Sequence, residues 1–333
     1  MNAFKSVITG AVLASVAGLA PQGADAREMS LASYFPANAS FVTEMLEPFA
    51  AWLTEQANGE FSVVVYSGGT LGRDPNQQDR IVSTGIADFG HIVPGRNPGV
   101  YPHYGLFELP GMVTSVEQGS NVAWQLHQEG ILETGDNLKI VSVWTTGPYI
   151  IHNRDRIDDI SGLSGVRLRV LGQYQTESVL AVDGVPQAIS ITEAPESINR
   201  GTLDGVLSDW SVYDSFRIAE VTDYSYTMPL GSLAMSLVMN PDSYAELSPE
   251  GQALIDSAGD QWKTMWIEFY NSNLERILAD GVERGHEVVE ATPEDIAAMR
   301  EATSHLMAEV REAAGDEVID AFIDRTEAFM ASQ

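Results

Sequence analysis

From residue 27 onward, short apolar segments of strand length alternate with amphipathic segments of helical period. Strands are expected at Met29 to Ala32, Phe61 to Tyr66, Ile140 to Trp144, Tyr149 to Asn153, Val166 to Leu171, Val206 to Ser208 and Met235 to Asn240. Asp74-Pro75, Ser248-Pro249 and Thr292-Pro293 each put an N-cap residue ahead of a proline in the first helical turn. This alternation calls for an α/β protein. One segment constrains it further. Between Ser248 and about Arg284 no proline follows Pro249, and Leu254, Ile255, Ala258, Trp262, Met265, Trp266, Phe269, Ile277 and Leu278 recur at helical spacing. At 1.5 Å per residue, some 35 residues reach roughly 50 Å, more than one domain of this size needs. The helix is therefore expected to lie across two domains and tie them together.

A faint internal echo supports two halves. In RIVSTGIADFG (80–90) and SINRGTLDGVL (197–207) a helix ends at a glycine, two residues follow, and an aspartate, Asp88 or Asp204, opens a strand. Glycine suits the left-handed position past a helix end, and so short a return favours a parallel neighbour. The expected division is 1–26 as a leader, 27–148 plus 232–272 as one α/β domain, and 149–231 plus 273–333 as the other. The leader reading rests on Lys5, the apolar run from Val7 to Leu19 and the closing Ala24-Asp25-Ala26, the pattern of a Sec-type export signal. The apolar run is too short for a membrane span.

Charge and cysteine content narrow the partners. The chain carries 18 Lys and Arg against 47 Asp and Glu, a formal charge of −29, which cleavage of the leader would not change because one Lys and one Asp leave together. Such a field repels nucleic acid and anionic membranes. There is no cysteine, so disulfides, thiol catalysis and lipid tethering through cysteine are excluded. Neither a P-loop, a GxGxxG, a GxSxG elbow nor an HExxH pair is present; His286-Glu287-Val288-Val289-Glu290 lacks the second histidine, and no cofactor or metal is expected.

What remains suits a small ligand. In Gly162-Leu-Ser-Gly-Val-Arg-Leu-Arg-Val-Leu-Gly172 the two arginines share one parity and the apolar residues the other, so both guanidinium groups are expected on one strand face. Arg169 falls near the C-terminal end of that strand, where α/β sheets hold ligands, and its fork of donors can clamp a carboxylate. Arg167 reads as an ion-pair partner. Tyr34, Phe35, Phe89, Tyr149 and Trp210, near other strand ends, could line the rest of a cleft, with Ser208 and Asp209 beside them.

The order of these landmarks resembles the solute-binding proteins of tripartite ATP-independent periplasmic (TRAP) transporters, the DctP family. The resemblance is carried by Gly69-Thr-Leu-Gly72, Gly85-Ile-Ala-Asp88, Glu108-Leu-Pro110, Leu163-Ser-Gly-Val-Arg-Leu-Arg169, Arg200-Gly-Thr-Leu-Asp-Gly205, and Met239-Asn240 ahead of Leu247-Ser-Pro249 and the long helix. It implies a two-domain periplasmic binding protein fold with hinge strands and one long helix across both domains. It also implies capture of a small organic acid without catalysis and its delivery to membrane permease subunits, by a monomeric periplasmic protein with no membrane anchor. Gly165-Val-Arg-Leu-Arg169 aligns with the Gly-x-Lys-x-Arg pattern whose last residue clamps the ligand carboxylate in that family. Two departures stand out. Gly147-Pro-Tyr149 stands where many members have a further arginine, and Ser208-Asp209-Trp210 where they have an asparagine after the Asp-Gly, so no second negative group is expected on the ligand, and Asp209 could meet an amine, a hydroxyl or a cation. The alternatives are a secreted α/β hydrolase, for which a nucleophile and base must meet in the cleft, and the binding protein of an ABC importer or a sensor.

Overall fold

The computed structural model describes residues 26–132 and 137–332, so the expected leader falls outside the described residues but for Ala26. The strands, in chain order, are β1 (Arg27–Ala32), β2 (Phe61–Tyr66), β3 (Phe89–Ile92), β4 (Lys139–Thr145), β5 (Ile150–Asn153), β6 (Arg167–Arg169), β7 (Val185–Gln187), β8 (Gly205–Ser208), β9 (Tyr224–Tyr226), β10 (Ala234–Met239) and β11 (Glu287–Val289). They form two sheets, ordered β2-β1-β3-β10-β4 and β11-β9-β5-β8-β6-β7. All seven expected strands are present. Of the other four, β3 was anticipated only as the strand that Asp88 opens, and β7, β9 and β11 were not expected; each of these three has three residues, too few to show a period.

The echo between the halves is structural. Gly85 and Gly201 follow the helices Gln78–Ser83 and Ala194–Asn199 with φ of 72° and 68°. In the first sheet the Asp88 carboxylate accepts from the Ser30 amide of β1 at 2.8 Å, and β3 runs parallel to β1 with Phe89 opposite Leu31. In the second the Asp204 carboxylate accepts from the Arg167 amide of β6 at 2.9 Å, and β8 runs parallel to β6 with Gly205 opposite Leu168. Ala32 of β1 therefore corresponds to Arg169 of β6, and the residues after each enter the space between the sheets.

The chain crosses between sheets after β4 and returns before β10. The two crossovers are laced together: Tyr149 N donates to Gly231 O at 2.7 Å, Leu230 N to Tyr149 O at 2.9 Å, and Thr146 N to Leu233 O at 2.9 Å. The third connection is the helix Pro249–Arg284, 36 residues long, capped by Ser248 and ended by Gly285 at φ 79°. Ile255, Ala258, Trp262, Trp266, Phe269 and Ile277 of its expected stripe are buried, whereas Leu278 is exposed. It packs on β4, where Trp266 Nε1 donates to Thr145 O at 2.8 Å, and farther along on the helix Trp210–Ser215 of the second sheet.

One boundary differs from expectation. The helices Ser304–Ala314 and Asp316–Ala331 return to the first sheet's side and pack on Pro102–Glu108 and Val116–Gln128, burying Leu306, Val310, Ile319 and Phe322 there. Their apolar faces complete that core, so 273–333 does not lie wholly with the second sheet. Among the described residues no helix is long and apolar enough to cross a membrane.

Candidate functional site

The ends of the parallel strands of both sheets meet at a cavity of about 40 Å³, the position expected for ligands of α/β sheets. Tyr34 and Phe35 come from the turn after β1, and Val93 and Arg96 from the turn after β3. Arg169 and Leu171 follow from β6, Thr146 and Tyr149 from the outward crossover, and Ser211, Val212 and Phe216 from the helix that follows β8 and its end. Trp266 of the long helix closes the base. Across the gap, Phe35 of the first domain meets Phe216 of the second with ring centroids 4.8 Å apart.

Arg169 is 2 % exposed, and Nε donates to Ile189 O at 3.1 Å. Among the described residues no carboxylate lies within ion-pair distance of its guanidinium, and burial pulls its pKa down to about 10, which leaves it charged at neutral pH. A buried cation without a counter-ion is costly unless an anion completes it. Arg167 is its contrast: Nε and Nη2 fork onto Asp204 at 2.9 and 2.5 Å, and Nη1 donates to Gly201 O at 2.7 Å.

Arg96 is a second guanidinium on the cavity, reaching it from the first domain. Its Nη1 donates to Asn76 Oδ1, while Nε is buried without a partner. Sequence reasoning missed it because Pro94-Gly-Arg96 has none of the apolar flanks that marked Arg169. The usable signal was its place just past the strand opened by Asp88. The substitution at Gly147-Pro-Tyr149 thus does not leave the site with a single cation.

Four of the expected site residues, Arg169, Tyr149, Tyr34 and Phe35, line the cavity. Burial pushes up the phenol pKa values of Tyr34 and Tyr149, so both are neutral hydrogen-bonding groups there. The other four do not line it. Phe89 is fully buried, as is every residue of β3, so it belongs to the core. Ser208 is buried opposite Ile150. Trp210 packs on His152 and Tyr213, with centroids 4.8 and 5.2 Å away. Asp209 is the N-cap of Trp210–Ser215, accepting from Val212 N at 3.1 Å and Ser211 Oγ at 2.9 Å, and from the crossover backbone at Gly147. Burial pushes its pKa up to about 6. Its oxygens are spent on the fold.

A larger hollow, about 830 Å³, lies between 36–44, 192–221 and Arg276, and shares Phe216 with the cavity. Its arginines are already paired, Arg217 with Glu220 and Arg276 with Asp214, so it offers an anion nothing comparable. Nor do Ser–His contacts fall in the cavity: Ser33 with His91, and Ser225 with His152 and His286, lie outside its lining. Among the described residues no group of three or more acidic or histidine side chains is arranged to hold a metal ion.

The family model for bacterial extracellular solute-binding proteins, family 7 (DctP), matches residues 32–313. The chain belongs to this family. Its fold is shared with a marine metagenome TRAP solute-binding protein specific for aromatic acid ligands, solved with 3-hydroxybenzoate, at 21% identity and a TM-score of 0.85 over 92% of this chain and 99% of that one. A TRAP solute-binding protein from Rhodoferax ferrireducens, solved with copurified benzoate, matches at 18% identity and a TM-score of 0.85 over the same shares. A Bordetella bronchiseptica TRAP protein with bound mandelate matches at 19% identity and a TM-score of 0.82, over 91% of this chain and 99% of that one. At these identities the likeness establishes the two-domain fold of this DctP-family chain.

Proposed function

We propose that this DctP-family protein captures a small organic acid, with one carboxylate and a flat apolar body, between its two domains. It then delivers the acid unchanged to the membrane permease of a TRAP transporter in the periplasm. The observation that carries this reading is Arg169, a buried guanidinium without a carboxylate partner, aimed at a cavity walled by Tyr34, Phe35, Phe41, Trp144, Tyr149 and Trp266. A guanidinium supplies two parallel donors to one carboxylate, and aromatic faces complement a planar body. Arg96 adds a donor from the opposite domain, so the same carboxylate would hold both halves together.

Size argues for movement. A benzene ring fits an apolar cavity of about 150 Å³, against about 40 Å³ here. The walls must part to admit such an acid and close on it. Separation would occur at the laced crossovers, 146–149 and 230–233, the domain boundaries proposed here near 148 and 232. For a hydrolytic role the lining offers the hydroxyls of Thr146 and Ser211 but no histidine or carboxylate as base, and Ser211 Oγ donates to Asp209, which caps its helix.

Native mass spectrometry of the protein purified without added ligand tests this reading, because a tight site retains its ligand. The expected result is a minor or major species heavier by the mass of one organic acid, released on denaturation. A bound amine or neutral sugar would overturn the proposal.

A further inference from the structure

Glu108, at the end of Pro102–Glu108, is 2 % exposed, and its Oε2 has no hydrogen-bond partner. Two glycines make room for it. A methyl group at Gly95 would collide with Oε1, and one at Gly172 would lie 2.6 Å from Oε2. Gly172 has φ −119°, a conformation open to any residue, so it is the space that requires glycine there. Gly95 precedes Arg96 in the first domain, whereas Gly172 caps the helix Gln173–Leu180 of the second, three residues past Arg169. A third glycine, Gly231 of the return crossover, lies against the Glu108 backbone. The carboxyl thus sits where both domains and the hinge meet, and one wall of its cage belongs to the opposite domain.

The charged and titratable groups around it are few. Arg96, on the loop after β3, draws its pKa down, and Tyr174, on Gln173–Leu180, is a phenol whose own pKa is raised by burial and by Glu108. Among the described residues no cation lies within ion-pair distance of the carboxyl. Burial outweighs Arg96 and pushes Glu108 up to about 8. A carboxylate enclosed without partners would be costly, and taking a proton removes most of that cost.

We propose that Glu108 couples domain closure to proton uptake: with the Gly172 wall withdrawn its carboxyl ionises in water, and on closure it re-enters the cage as the neutral acid. This rests on the reading that the ligand is caught by closure. A neutral Glu108 also leaves Arg96 free for the ligand carboxylate. The sign follows from linkage. The closed form binds more protons than the open form between the ordinary glutamate pKa and about 8, so affinity is greatest at the acid end of that window and falls by up to about tenfold per pH unit as pH rises.

The test is calorimetry with benzoate at neutral pH in two buffers of different ionisation heat, repeated from about pH 5.5 to 7.5. Wild type is expected to take up close to one proton per ligand, and its Kd to rise by roughly tenfold or more across that range. Glu108→Gln is expected to bind with no uptake and a flat profile. Asp209→Asn, which keeps a competent cap, is expected to retain the uptake, since Asp209 is the other buried acid near the cavity. A ligand-free measurement separates this inference from the function on which it rests: spin labels, one on each domain, should approach as pH falls in wild type and not in Glu108→Gln. If benzoate does not bind, that distance measurement still decides. Uptake near zero, uptake lost in Asp209→Asn but kept in Glu108→Gln, or equal pH responses of wild type and Glu108→Gln would each overturn the proposal.

Discussion

Arg167 and Arg169 stand two residues apart on β6 and are used in opposite ways. Arg167 forks onto Asp204 at a side chain that is 39% exposed, whereas Arg169 is sealed against the cavity. An ion pair that exposed contributes little. Arg167→Ala is therefore expected to lower stability only slightly in denaturant unfolding, and to leave acid binding unchanged. A loss of binding equal to that of the Arg169 variant would show that the strand's general charge, not its position, matters. The distinction was legible in the sequence because Arg169 alone falls at the strand's C-terminal end. The same reasoning failed for Asp209 and Trp210. Both are near a strand end, but Asp209 begins a helix, and its capping bonds turn it and Trp210 away from the cleft. Phe89 failed for a different reason: where all four residues of a strand are buried, alternation cannot say which face meets a ligand.

At the scale of elements, the three connections between the sheets fix how the halves can move. The long helix was legible because its aromatic stripe and cap span ten turns. The hinge contacts were not, since they join residues far apart in sequence through backbone atoms. Gly147 shows how closely they pack: a methyl group there would collide with the Tyr270 hydroxyl, which is buried and bonded to the Trp210 backbone. Gly147→Ala is expected to destabilise the protein by roughly 1–3 kcal/mol through overpacking. Adding Tyr270→Phe, which removes the obstructing oxygen, should recover part of that loss in the same unfolding measurement. An alanine variant as stable as wild type would mean that the crossover is not held against the long helix. The C-terminal helices were placed wrongly from sequence because amphipathicity reveals a buried face but not its partner, and here the partner is Pro102–Glu108 and Val116–Gln128.

As a whole molecule, the chain is two α/β units of related design, each placing an aspartate on the amide of a neighbouring parallel strand. Ala32 in one unit matches Arg169 in the other, so the charge that faces the cleft from this position is supplied by one side only. Arg96 supplies the other side from a different position. With a formal charge of −29, the outer surface repels anions, and these two guanidinium groups make the cleft the place where the proposed organic acid would be held. Titration calorimetry of benzoate, 3-hydroxybenzoate and mandelate, with neutral benzamide as the control, against wild type, Arg167→Ala and Arg169→Ala tests this most directly. The expected result is saturable binding of at least one acid, none of benzamide, near-wild-type affinity in Arg167→Ala and a loss of about 2–5 kcal/mol in Arg169→Ala. Binding of benzamide as tight as that of benzoate, or equal affinities in the two arginine variants, would contradict the assignment of the site.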